Sequence, residues 1–360
     1  MHLHRSGCLA VVVAASFGVL AASTADVGSF GCPGNATAID VLAGRDLSGK
    51  MVIVTGGDNG LGFAVAQALA ARNASVVIAN RNASKGEAAA AALRRSTGAW
   101  VEAKLLDLGS LASVREFARA FLEKLGPRLH ILINNAGIFG PSKKSSDGFE
   151  LVFEVDYLGH FLLTESLLPA LRASPGARII NVASEAHEFA CEAAGWPSDC
   201  FKDWTFLPPP VVEPRNVTIH LKSGSYTLRA FSYGIAKFLN VQHAVALAKR
   251  EEGNGVKAFS LHPGLVTTSM TGHIDTSSPF VKGFCQEQEH PDPALPPNAC
   301  PFTAEQGAAV IAHLAVSDGL QNGGYFSRTW ACQQRPIVQQ GFLADMPMEL
   351  YERSLRWSDA

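Results

Sequence analysis

The run MVIVTGGDNGLG (51–62) constrains the fold of this chain more than any other stretch. Its first half is apolar at successive positions, which suits a strand buried on both faces. Glycines at 56, 60 and 62 follow at once, and GFAVAQALAARN continues at helical spacing. A tight glycine turn between a buried strand and a helix brings backbone N–H groups to the positive helix end, where a pyrophosphate binds. Gly56, Asn59, Gly60, Leu61 and Gly62 are therefore the first candidate cofactor-binding residues.

The same alternation continues. ASVVIAN (74–80), VEAKLLD (101–107), LHILINN (129–135), ARIINVA (177–183) and VKAFSLH (256–262) read as strands, with GGYF (323–326) as a seventh. Alanine-rich helical stretches such as SVREFARAFLEKL lie between them. The pattern predicts an α/β fold: a single doubly wound domain of Rossmann type, with a seven-stranded, mostly parallel sheet over about 50–330. MPMELYERSLRW (346–357) reads as a closing helix. A length of 360 residues, 47% hydrophobic, allows a substantial core. The net charge is −2 with no basic run, so no nucleic-acid partner is expected. There is no internal repeat and no metal-ligand spacing.

MHLHRSG, the apolar run CLAVVVAASFGVLAA (8–22) and the small residues of STAD (23–26) follow the order of a secretory signal peptide. Residues 1–25 are read as that signal and 26–46 as a leader, before a domain over 47–360. An uncleaved membrane anchor and a plastid route through the secretory pathway stay open. Six cysteines remain outside the signal, at 32, 191, 200, 285, 300 and 332, an even number compatible with disulfides. Cys191/Cys200 and Cys285/Cys300 each close a short loop and are the first pairs to consider; buried free thiols are the alternative. Sequons at Asn35, Asn73, Asn82 and Asn216 fit a glycoprotein.

The second strand ends ANRN. An acidic residue there would hold the adenosine ribose and repel a 2′-phosphate; Asn80 removes that repulsion, and Arg81 offers a planar fork to a phosphate. NADP(H) is favoured, with NAD the other candidate. A glycan on Asn82, next to Arg81, would crowd that phosphate.

TGxxxGxG (55–62), an aspartate after the third strand (LLDL, 105–108), NNAG (134–137), a serine after the fifth strand, YxxxK (233–237) and HPGLVTT (262–268) occur in this order. The chain resembles the short-chain dehydrogenase/reductase family over nearly everything after about residue 38. VLAGRDLSGKMVIVTG, LGHFLLTESLLPAL and VASEAH are most similar to its retinol dehydrogenase and WW-domain oxidoreductase branch, without a WW domain. The resemblance implies that Asp107 and Leu108 flank the adenine and that Asn135, Ala136 and Gly137 line the cofactor floor. It further implies that Pro263, Gly264, Val266 and Thr268 turn beneath the nicotinamide.

By the same resemblance, Tyr233 exchanges the proton of a carbonyl/alcohol couple. A free phenol has a pKa of about 10, and a lysine one helical turn on favours phenolate. Lys237 would also bind the nicotinamide ribose, and Ser184 would hold the substrate oxygen. Two departures stand out. Asp156, in EVDYLGHF, occupies the place of the family's catalytic asparagine and adds a negative charge near Lys237. Ser184 and Tyr233 are separated by an insertion (188–228) that, with 269–302, is read either as a disulfide-stiffened lid over an apolar pocket or as surface decoration. The leading expectation is an NADP(H)-dependent oxidoreductase acting on a small lipophilic alcohol or carbonyl, retinoid- or steroid-like. It allows membrane contact without requiring it. A cofactor-binding regulatory protein with weakened turnover, and a reductase of carbon–carbon double bonds like protochlorophyllide reductase, are the alternatives.

Overall fold

Strand β1 (Met51–Thr55) shows why the sheet is covered on both sides. Val52 and Val54 enter one apolar cluster and Ile53 the other, as alternation along a strand requires. The computed structural model describes residues 32, 34–139, 143–187, 217–221, 224–228, 231–268, 302–328, 332–335 and 346–359. The remaining strands of the main sheet are β2 (Ser75–Asn80), β3 (Val101–Leu105), β4 (Ile131–Asn134), β5 (Arg178–Val182), β8 (Lys257–His262), β9 (Tyr325–Ser327) and β10 (Gln333–Arg335). They form an eight-stranded sheet in the order β3-β2-β1-β4-β5-β8-β9-β10. Every neighbouring pair is parallel except the last, where β10 runs antiparallel to β9. The expected seven strands are thus present with one short antiparallel edge strand added. The added strand was hidden because QQR carries no apolar alternation.

The order reverses between β1 and β4, so a crevice opens outside the carboxyl ends of those strands. Helices Gly60–Ala70, Ala83–Thr97 and Ala304–Val316 cover one face. Helices Leu111–Lys124, Gly159–Arg172, Phe231–Arg250 and Met346–Ser358 cover the other. Helix starts carry the expected caps: Asn82 accepts from Lys85 N at 2.9 Å, and Thr303 with Gln306 forms a reciprocal capping box.

The stretch set apart as a leader is tied into the domain over its second half. A short helix, Ala38–Val41, begins with a Thr37–Asp40 capping box, and Arg72 Nε donates to Leu42 O at 2.7 Å. Arg328, fully buried, donates to Gly34 O at 2.6 Å and Ala36 O at 3.2 Å. A disulfide joins Cys32 to Cys332 across 300 residues, a long-range pair that short-loop reasoning did not name. Cys191, Cys200, Cys285 and Cys300 lie outside the described residues, as do residues 1–31 and Asn216.

The insertion before Tyr233 is described only at its end, where β6 (Val217–Leu221) and β7 (Gly224–Leu228) pair as an antiparallel hairpin. The excursion after Thr268 is described only at its return. There Phe302 N donates to Leu265 O at 2.8 Å and Thr267 N to Phe302 O at 3.0 Å, so it leaves and re-enters the fold at one place. Among the described residues no helix is long and apolar enough to cross a membrane.

Candidate active site

The glycine turn is sterically closed to side chains. A Cβ on Gly62 would stand 2.2 Å from Gly56 O and 2.6 Å from Asn135 Nδ2. Gly56 and Gly60 have φ of 64° and 53°, the left-handed region that glycine enters freely. The turn ends on Asn59, which precedes the helix Gly60–Ala70, and Leu61 packs against Val266 and Phe302. This bare backbone at a helix start fits the pyrophosphate of a dinucleotide. The other side of the crevice is built on Thr55. Its hydroxyl accepts from Asn135 N at 2.8 Å and Ala136 N at 2.9 Å, and Asn135 Nδ2 donates to Thr55 O at 2.9 Å. After β8, Pro263 and Gly264 (φ 81°) turn the chain, and a Cβ on Gly60 would stand 3.3 Å from Thr268 Cγ2. The two turns therefore meet over the cofactor crevice.

Asn80 does not face outward as its position at the end of β2 suggested. It is buried, its Nδ2 donates to Asn82 O at 2.5 Å, and its Oδ1 points at Gly86, where a Cβ would come within 2.3 Å. Gly86, small in an otherwise alanine-rich helix, is the sequence signal for that inward turn. Arg81 beside it is exposed. Asp107 accepts from Gly109 N at 3.0 Å, which shapes the turn after β3, and Leu108 is buried in the core.

The reaction residues are brought together. Lys237 is buried one helical turn after Tyr233, with Nζ 5.2 Å from the centre of the phenol ring and donating to Val182 O at 3.2 Å. Ser184 lies close enough to Tyr233 for its hydroxyl to favour the phenolate. Burial pushes the Tyr233 pKa up and Asp156 adds to this, against the opposing pull of Lys237 and Ser184. The free protein thus holds the phenol protonated. Phe139, a large apolar side chain left 46% exposed, packs edge-on against Tyr233 with ring centres 5.5 Å apart.

Asp156 is fully buried, 3.3 Å from Lys237 Nζ, and accepts from Ile138 N at 2.8 Å. Gly137 lies against the pair: a Cβ there would sit 3.0 Å from Asp156 Oδ2 and 3.3 Å from Lys237 Nζ. Burial raises the Asp156 carboxyl to about 6, against the pull of Lys237, so an ion pair exists at neutral pH. Burial opposes the charge on Lys237, but Asp156 and Tyr233 raise its pKa on balance. Asp156 occupies a π-helical turn, Glu154–Leu158. Its carbonyl accepts from Asn240 Nδ2 at 3.0 Å and faces His160 Nδ1 at 3.4 Å. Burial lowers the His160 pKa to about 3, so its Nε2 accepts from Thr55, 2.8 Å away. Thr55, His160 and Asn240 thus link the cofactor floor to the reaction centre. The Thr55–Asn135, Thr55–His160 and Asn240–Asp156 contacts each span 80 residues or more, so no local pattern foretells these pairings.

A parallel sheet with a glycine turn at its switch point and a serine–tyrosine–lysine centre beside it defines a nucleotide-dependent oxidoreductase of the doubly wound class. A sequence model described as short chain dehydrogenase matches residues 50–194. Retinol dehydrogenase 12 of Homo sapiens is 36% identical over 299 residues, covering 79% of this chain and 80% of that protein. The WW domain-containing oxidoreductase of Gallus gallus is 34% identical over 337 residues, covering 90% of this chain and 72% of that protein. Among solved structures, the RhlG/NADP active-site complex of Pseudomonas aeruginosa is similar at 27% identity and a TM-score of 0.55, over 78% of this chain and 95% of that one. An uncharacterised protein from Mycobacterium paratuberculosis is similar at 26% identity and a TM-score of 0.61, over 91% and 98%. The chain belongs to the short-chain dehydrogenase/reductase family.

Proposed function

We propose that the protein is an NADP(H)-dependent oxidoreductase that interconverts a lipophilic alcohol and its carbonyl. The observation that carries this reading is the exposed Phe139 ring against Tyr233, beside Ser184 and Lys237. An aromatic wall next to the proton donor favours a substrate whose apolar body packs there while its oxygen reaches the two hydroxyls. The bound nicotinamide would supply or accept the hydride. In reduction, Ser184 holds the carbonyl oxygen, Tyr233 gives it the phenolic proton, and Lys237 stabilises the phenolate left behind. Arg81, with no carboxylate at the end of β2, supports a 2′-phosphate over a bare ribose. The Cys32–Cys332 disulfide supports an oxidising, secretory address.

The test is consumption of NADPH and NADH by purified protein with hydrophobic and small polar aldehydes, ketones and enones. Turnover with NADPH that rises with substrate apolarity supports the reading. Tight NADPH binding with no turnover above Tyr233→Phe favours a regulatory protein, a reading to which the buried Asp156–Lys237 pair gives weight.

Two variants probe the site further. Phe139→Ala is expected to raise KM for a hydrophobic aldehyde roughly tenfold, the worth of an aromatic contact area, and to leave a short polar aldehyde unaffected. Steady-state kinetics on both substrates check it. Asp156→Asn removes a negative charge that disfavours phenolate at Tyr233 above about pH 6. The rising limb of the pH–rate profile for alcohol oxidation is therefore expected about one unit lower than in the wild type. An unmoved limb would mean that Asp156 does not act on the phenol.

A further inference from the structure

The turn that carries Ser184 is held by groups the catalytic set does not include. Ser184 O accepts from His187 N at 3.1 Å and from His187 Nδ1 at 2.6 Å, and Ser184 Oγ accepts from Ala186 N at 3.2 Å. That bond leaves the Ser184 O–H available to Tyr233 or to a substrate oxygen. The residue between Ser184 and Ala186, Glu185, lies against one imidazole. Its backbone N–H donates to His262 Nδ1 at 3.2 Å, and its carboxylate Oε2 lies 3.4 Å from His262 Nε2. An imidazole that accepts at Nδ1 carries its proton on Nε2, and the approach of the carboxylate to that nitrogen is an electrostatic contact rather than a hydrogen bond. Arg335, on the antiparallel edge strand, donates to Glu185 Oε1 at 3.1 Å. His262 ends β8 immediately before Pro263 and Gly264.

We infer that Glu185 is a positioning residue: by clamping His262 and Arg335 it fixes the serine turn against the Pro263–Gly264 turn, and so sets the Ser184 hydroxyl on Tyr233. The inference rests on the proposed function for its catalytic consequence, though the geometry it predicts does not. Three strand ends, β5, β8 and β10, meet on this one residue, and the serine immediately precedes it in the chain. Burial raises the Glu185 pKa, but His262 and Arg335 outweigh it and hold the carboxyl at about 2, so Glu185 stays ionised and paired with Arg335 throughout the neutral range.

The test uses the full-length protein carrying 3-fluorotyrosine in place of its five tyrosines, with the Tyr233 resonance assigned by Tyr233→Phe. Fluorine NMR follows the ionisation of Tyr233 in the wild type, in Glu185→Ala and in Glu185→Gln, which keeps an acceptor for His262. Loss of the serine hydrogen bond moves the titration of Tyr233 to higher pH, whereas simple removal of a negative charge would move it lower. The expected result is an upward shift in Glu185→Ala that Glu185→Gln largely reverses. In turnover, kcat falls about 10- to 100-fold in Glu185→Ala, with KM for the cofactor little changed. A Tyr233 titration that stays in place or moves down overturns the inference, whatever the turnover. An upward shift in a protein whose wild type reduces no carbonyl leaves the positioning role standing and removes the proposed substrate class instead. A fall in kcat accompanied by equal loss of cofactor binding and of melting temperature in both variants overturns it, since that is what a purely structural carboxylate would give.

Discussion

Tyr233→Phe is expected to lower carbonyl reduction by roughly 10²- to 10⁴-fold while leaving cofactor affinity and the melting temperature nearly unchanged. The substitution removes only the hydroxyl. The ring keeps its edge contact with Phe139 and its place 5.2 Å from the Lys237 ammonium, so packing around the site is preserved. Lys237 would be a poorer probe. Its loss leaves Asp156 buried as an unpaired carboxylate, a change that costs several kcal/mol and confounds chemistry with folding. Because burial and Asp156 both hold the Tyr233 phenol protonated, reduction near neutral pH is expected to outpace oxidation. Oxidation needs the phenolate and is expected to gain rate as the pH rises. Single-turnover rates in both directions, with cofactor titration of each protein, would check this; a variant that retained a tenth or more of wild-type reduction would displace Tyr233 as the proton donor.

Why so much of the scaffold is legible follows from where its information lies. A strand buried on both faces must be apolar at successive positions, so MVIVT, SVVIAN and RIINV declare themselves locally. The glycine turn is equally local, since Gly62 is required by a backbone oxygen six residues earlier. The edge strand Gln333–Arg335 has no such pattern. It forms because β9 offers an open edge and a disulfide places Cys332 beside it. The π-turn at Asp156 is braced by Asn240, a residue 84 positions away, whose amide donates to the Asp156 carbonyl. The clamp on Ser184 joins residues 77 and 150 apart in sequence. Asn80 shows the converse, a residue whose local position suggests ribose contact but whose side chain is drawn inward by the space above Gly86. Local sequence thus reported what each element is, and the contacts that tune the reaction belong to the tertiary fold.

Opening the Cys32–Cys332 bridge, by Cys32→Ser or by a reductant, is expected to lower stability by about 5 kcal/mol in the chain-entropy account, because the bridge closes a loop across 300 residues. For a domain of this size that corresponds to a fall in melting temperature of about 7 °C. The effect should fall on the unfolded state. In the folded protein the N-terminal segment has a second anchor, for Arg328 is fully buried and donates to Gly34 O, Ala36 O and Gln306 O while lying 4.9 Å from the Phe302 ring centre. Releasing the segment would strip buried guanidinium hydrogen bonds of their acceptors, each worth about 1.5–3 kcal/mol, so it stays docked when the sulfurs part. Turnover at ambient temperature should therefore remain within about twofold of the oxidised protein, although the transition comes earlier on heating. Calorimetry of the oxidised, reduced and Cys32→Ser proteins, beside their kinetics at one temperature, separates the two anchors. If reduction abolished turnover well below the melting transition, the bridge would be holding the edge strand, and through Arg335 the serine turn, in the native state itself.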